Sequence, residues 1–255
     1  MNYSNRIIPL LLISDDDLVK TTKFKKPTYL GDPVNTAKIF NDKEVDELIV
    51  IDISAQKKKT LPPFKIIEEI ASECFMPLTY GGGINNFETV ERLFYSGIEK
   101  VSVQEQNFID FALVNKISKR YGSQSVVMSI DVKKNFLNSK KVYRSSSSKY
   151  TKLDLIEFAK KGIDNGVGEI LLTSVDHEGM MNGLDYELIN QLSSAVDVPV
   201  IAHGGVGSIE QIKKGFKYGA NAVAVGSFFV FKGPLKGVLI SYLSEEEINK
   251  IFKDV

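Results

Sequence analysis

The sequence is poor in the residues that build disulfide or metal frameworks. One cysteine, Cys74, stands among 255 residues, so no disulfide can form within the chain. The two histidines, His177 and His203, show no metal-ligand spacing, and no metal or cofactor is expected. Neither sign of charge is in excess, with 32 basic and 32 acidic residues. That excludes a global field drawing the chain to nucleic acid or to an acidic membrane. The opening "MNYSNR" has no apolar signal core, and no apolar run approaches the roughly 20 residues that a membrane span needs. The expectation is a cytoplasmic protein that binds neither nucleic acid nor membrane. What is plentiful is apolar side chain, at 43% of the sequence, enough for one large α/β domain or two small ones.

Short apolar runs alternate with amphipathic stretches. Strands are predicted at 6–13, 47–53, 76–80, 99–103, 125–131, 168–174, 198–203 and 222–227. They are apolar on both faces, as parallel strands covered by helices should be. Helices are predicted near 33–43, 64–74, 87–97, 108–120, 153–165, 185–195, 208–218 and 234–244. In "GDPVNTAKIF", Asp32 is placed as an N-cap and Pro33 as the first helical residue. Eight strand–helix pairs in this length fit a (β/α)8 TIM barrel, with a doubly wound open sheet as the rival. The expected unit is a single barrel domain over 1–255.

A two-fold repeat runs through it. "PLTYGGGI" begins at Pro77 and "PVIAHGGV" at Pro199, an offset of 122. At that offset Gly82 meets Gly204, Gly83 meets Gly205, Gly97 meets Gly219, Val103 meets Val225 and Glu47 meets Glu169. A register kept across several elements indicates a duplicated unit, here half-barrels of about 1–122 and 123–255. Two long segments, 14–31 and 133–151, interrupt the pattern after the first and fifth strands. Both fall on the face where barrel active sites form.

The candidate site residues follow from these placements. Gly204, Gly205, Gly226 and Ser227 sit where backbone N–H groups of barrels cradle a phosphate, the alternative being tight turns only. Gly82 and Gly83 are the first-half equivalents of the glycine pair. Gln104 and Glu105, however, replace Gly226 and Ser227, and a carboxylate repels a phosphate, unless Glu105 simply turns to solvent. Asp131 ends an apolar strand, where barrels place acids and bases, the alternative being a cap or a salt bridge. Asp52 and Asp176 also end strands, and Asp176 lies in the Gly-punctuated "TSVDHEGMMNG". Lys20 lies in the first long loop, forming a cationic flap with Lys23, Lys25 and Lys26, or else only a solvated run. Arg6, Glu47, Lys100 and Glu169 start four strands. Turned inward, they would form a ring of two cations and two anions at the barrel's bottom.

"RIIP", "DELIVIDI", "PLTYGGGI", "KVSV", "SVVMSIDVKK", "GEILLTSVDHEG" and "GGVGS" resemble the cyclase subunit of imidazole glycerol phosphate synthase, in order and over nearly the whole chain. The resemblance implies a duplicated barrel that takes ammonia from a glutaminase docked at its N-terminal face. The ammonia passes through the interior to a substrate with two phosphates at the top. It implies catalytic roles for Asp131 and Lys20 and phosphate or substrate contacts for Gly82, Gly83, Asp176, Gly179, Gly204, Gly205, Gly226 and Ser227. Arg6, Glu47, Lys100 and Glu169 match the ring through which ammonia enters. The family's other catalytic aspartate falls on Leu12, and its first phosphate site on Gln104 and Glu105. The segments "LLLIS…LVKTTKFKKP" and "GSFFVFKGPLKGVLISY" resemble glycosyl-amidation-associated relatives, which occur with surface-polysaccharide genes. Those relatives imply an acidic or phosphorylated sugar substrate and a separate amidotransferase. Three readings stay open: an ammonia-handling barrel specialised for amidation, an authentic cyclase of histidine synthesis, and a non-catalytic glutaminase activator.

Overall fold

In the computed structural model, which describes residues 5–253, eight parallel strands close on one another. They are β1 (Arg6–Ser14), β2 (Leu48–Asp52), β3 (Leu78–Gly81), β4 (Lys100–Val103), β5 (Val126–Lys134), β6 (Glu169–Ser174), β7 (Val200–His203) and β8 (Ala222–Val225). Each pairs with the next in parallel, and β8 returns to β1. Sequential order with closure is a (β/α)8 barrel and excludes the open sheet.

The apolar runs split into two layers by their alternation. On β1, Ile7, Leu11 and Ile13 face outward into the core shared with the helices. Ile8, Leu10 and Leu12 face inward with Ile49, Val127, Leu171, Ile201, Ala222 and Ala224. Both faces are dry, so "RIIPLLLIS" needs no polar alternation. The helices start where their caps say. Asp32 accepts from the N–H of Asn35 at 2.8 Å, opening a helix over Pro33–Asp42.

Pairing registers repeat between the halves. Leu12 lies opposite Ile51, and Asp131 lies opposite Thr173, with Ile51 and Thr173 separated by the repeat offset. Leu12 and Asp131 therefore hold equivalent places on β1 and β5. The caps repeat too: Asn86 and Ser208 each accept from the N–H three residues on, opening Phe87–Tyr95 and Ile209–Lys217.

Three segments differ from expectation. Segment 14–31 is an antiparallel hairpin of Asp17–Thr22 and Lys25–Gly31 that extends β1. Segment 133–151 carries strands Lys140–Arg144 and Lys149–Tyr150, which extend β5. The helix expected near 234–244 is absent. A short helix, Ser227–Val230, is followed by a hairpin of Phe231–Lys232 and Gly237–Val238, and the last helix runs over Glu245–Phe252. Gly233 and Lys236 take positive φ around Pro234, which ends any helical run there. Tyr242 returns to β1, its hydroxyl donating to the carbonyl of Ile7 at 2.9 Å.

Candidate functional site

The top of the barrel, at the strand C-termini, holds a cleft of about 230 Å³ beneath the two hairpins. Asp131 stands in it at 3% exposure. Burial pushes its carboxyl up to about 6, against hydrogen bonds from Gln104, Ser145 and Thr173 that favour the charged form. The Gln104 amide donates to Asp131 at 2.8 Å, and Ser145 donates to the Gln104 carbonyl at 2.7 Å. An acid held near neutrality inside a cleft suits proton transfer. Leu12, in the equivalent place on β1, offers only methyl groups to the same cleft. Gly82 and Gly83 line this cleft as well.

A smaller niche lies at the ends of β7 and β8, lined by Lys20, Gly179, Gly204, Gly205, Gly226 and Ser227. Gly226 is pressed against the Lys20 ammonium: a Cβ there would sit 2.3 Å from Nζ. The Ser227 hydroxyl is buried without a hydrogen-bond partner. Such a polar atom is costly unless a ligand or water meets it. An ammonium, an unpaired hydroxyl and side-chain-free backbone suit an anion. Gly204 and Gly82 also have a packing reason. At φ +102°, a Cβ on Gly204 would meet the Ser174 carbonyl at 2.6 Å, and one on Gly82 would meet the Asp52 carbonyl at 2.4 Å. Turn geometry therefore demands these two glycines whatever binds.

Lys20 is not on an exposed flap. It is 5% exposed and faces Glu178 at 3.7 Å, with burial lowering its pKa and Glu178 opposing that. Only Lys23, Lys25 and Lys26 lie at the hairpin tip. Glu178 was not among the residues singled out from sequence. It accepts from Thr21 Oγ1 at 2.9 Å and from the Phe24 N–H at 3.0 Å, which pins the first hairpin to the loop after β6. Its neighbour "DHEG" gave no sign of this, since the partners lie far away in sequence. Asp176 lines neither cleft nor niche; its carboxylate accepts the Lys134 N–H at 2.7 Å and steadies the second hairpin. Asp52 is occupied in capping, accepting from Ser54 and Ala55. His177 Nδ1 donates to the Gly183 carbonyl at 2.6 Å. His203 lines both spaces, but burial, with Lys20 nearby, lowers its pKa to about 3, so it stays neutral.

At the end of β4 the expected clash is resolved within the chain. Glu105 does not turn to solvent: it accepts from the Arg144 guanidinium, at 2.8 Å from Nε, and from Ser146 Oγ at 2.5 Å. At the opposite end of the barrel, Arg6, Glu47, Lys100 and Glu169 meet in a closed ring. Lys100 lies 2.9 Å from Glu47 and 3.1 Å from Glu169, and Arg6 bonds the same two carboxylates. Thr79 adds a hydroxyl to Glu47 at 2.8 Å. Burial works to lower the Arg6 pKa, but Glu169 and Glu47 outweigh it and the guanidinium stays charged. Between ring and cleft the interior is mostly the apolar inner layer, interrupted by Ser102 and Ser129.

The model of the histidine biosynthesis protein family matches residues 6–235, nearly the whole barrel. The chain belongs to this family. Relatives that are similar over their full length place it among the cyclase subunits of imidazole glycerol phosphate synthase. A Pseudomonas aeruginosa protein, provisionally named subunit hisF2 of that synthase, is 46% identical over 247 residues, covering 96% of this chain and 97% of its own. A Vibrio vulnificus protein, provisionally named subunit hisF3, is 42% identical, covering 96% and 95%. Subunit HisF of Endomicrobium trichonymphae is 38% identical, covering 89% and 87%. No metal-ligating cluster occurs among the described residues of this family member, and no helix among them is long and apolar enough to cross a membrane.

Proposed function

We propose that this HisF-type barrel is the ammonia-accepting synthase subunit of a glutamine amidotransferase, specialised for amidating a surface-polysaccharide sugar. A glutaminase would dock at the N-terminal face, over the ring of Arg6, Glu47, Lys100 and Glu169. The ring is the observation that supports ammonia handling. Alternating charges close the bottom of the barrel with a ring of ion pairs, and the largely apolar interior behind it favours a small neutral molecule over an ion. The acceptor, an acidic or phosphorylated sugar, would bind at the top face, or be passed to a separate amidotransferase there.

Leu12 supports specialisation away from imidazole ring closure. Acid–base chemistry with two carboxylates loses about 10²–10⁴-fold in rate when one group is missing. That Asp15, Asp16 and Asp17 are not among the residues lining the cleft supports this reading. Asp15 and Asp16 hold the tight turn after β1 at positive φ, and Asp15 pairs with Lys58. The likeness of the chain's first and last segments to glycosyl-amidation-associated relatives supports the sugar acceptor.

The test is complementation of a strain lacking its imidazole glycerol phosphate synthase cyclase subunit. The expected outcome is no growth without histidine, and growth would establish an authentic cyclase instead. A second reading, a non-catalytic glutaminase activator, is favoured by the same leucine. Glutaminase stimulation that survives Asp131→Asn, in a system whose amidation also survives, would select it.

A further inference from the structure

We propose that the ligand of the top face carries one phosphate-sized anion, because the first half of the barrel fills its own anion position with the Glu105 carboxylate. The inference rests on reading the top face as a substrate site, and it names the substrate class.

The two positions are equivalent by register. Val103 lies opposite Met128 on β5 and Val225 lies opposite Pro9 on β1, at the ends of β4 and β8. The residues that follow them are Gln104 and Glu105 in the first half, and Gly226 and Ser227 in the second. Each has a glycine pair beside it, with Gly82 and Gly204 in similar conformations at φ +124° and +102°. The strand ends and glycine turns are alike, and the two residues after the strand differ.

The second-half position keeps donors within reach of an anion, one of them Lys20, which faces Glu178 only at 3.7 Å. Lys20 reaches Gly226, which has no side chain to keep an anion away, and the Ser227 hydroxyl is buried without a partner. The first-half position has its donors already taken. The Arg144 guanidinium and the Ser146 hydroxyl, which could hold a phosphate, both bond Glu105. Gln104 is fixed between Asp131 and Ser145, and its side chain fills the place that Gly226 leaves open. A second phosphate would have to displace a charge-assisted pair and approach two carboxylates, Glu105 and Asp131. The ligand's far end therefore carries no second phosphate. A sugar monophosphate has this form, and a sugar bisphosphate does not.

The experiment counts phosphate sites on the full-length chain by equilibrium dialysis with labelled inorganic phosphate, in a buffer free of phosphate and sulfate. Wild type should bind one per chain. Gly226→Ala, whose Cβ meets the Lys20 ammonium, should weaken that site at least tenfold, and Ser227→Ala should weaken it several-fold with less risk to folding. Gln104→Gly combined with Glu105→Ser, which clears the first-half position and releases Arg144, should raise the count to two. Two sites in wild type overturn the proposal, as does none, or a single site lost in Arg144→Gln but kept in Ser227→Ala. The amidation reading fails separately, through absence of glutaminase stimulation, which leaves the phosphate count unchanged.

Discussion

Asp131 shows how one residue's surroundings set its chemistry. Its carboxyl, pushed up to about 6, gains protons on folding, since an exposed aspartate has a pKa near 3.8. The folded state therefore binds more protons than the unfolded one between those values, and stability falls as pH rises through that window. Below it the acid is neutral in both states and costs nothing extra. Two units correspond to a few kcal/mol above pH 6, at about 1.4 kcal/mol each. Asp131→Asn should accordingly raise the melting temperature at pH 8 and change it little at pH 4, which thermal unfolding across pH would show. Equal effects at both values would mean that the charge is not what strains the site. The sequence made Asp131 legible, because a strand-end carboxylate after an apolar run stands out. It could not show Gln104 as the residue holding it. The repeat showed that Gln104 replaces glycine, but where its amide points depends on the turn at Ser145, which belongs to another hairpin.

At the scale of elements, the eight strands and most helices were legible because apolar runs and caps are local signals. The hairpins were not. "SDDDLVKTTKFKKPTYLG" has weak alternation and many lysines, and its strands exist because β1 offers an edge for pairing and Glu178 supplies the far anchor. Lys20 was read as a flap cation for the same reason: its burial comes from a loop at the other side of the barrel. The expected helix over 234–244 overlooked the Gly233–Pro234 break. Glu178→Ala should free the first hairpin and leave Lys20 buried without its counter-ion, at a cost of about 3–5 kcal/mol. Limited trypsin digestion reads this directly. Cleavage at Lys23 or Lys25 should speed up at least tenfold, while cleavage at Lys57–Lys59 stays within a few-fold of wild type. A uniform rise across both sites would instead indicate global unfolding.

For the whole molecule, the bottom ring follows the two-fold repeat only in part: Glu47 meets Glu169, but Lys100 meets Ala222. The ring draws on β1, β4, β6 and the residue before β2, so it ties both halves together. Glu47 is 1% exposed and touches Arg6, Lys100 and Thr79. Removing it leaves cations facing one carboxylate instead of two, and Glu47→Ala should lower stability by several kcal/mol. With a glutaminase partner, Glu47→Ala and Lys100→Ala should also uncouple glutamine hydrolysis from transfer. The ratio of glutamate formed to amide formed measures this, and an unchanged ratio in both variants would remove the ring from the ammonia route.

The hydroxyl of Tyr242 on the carbonyl of Ile7 joins residues 235 apart, beside the pairing of β8 with β1. That junction carries the largest chain-closure entropy in the barrel, and no shorter loop can form it. A chain leaving the ribosome with its amino end first can assemble successive strands as they emerge. It must nonetheless keep one edge of β1 unpaired until nearly all of the protein has been made. The exposed edge of an apolar strand is an aggregation hazard for that interval. The order of synthesis, rather than final stability, thus sets when this barrel is most vulnerable.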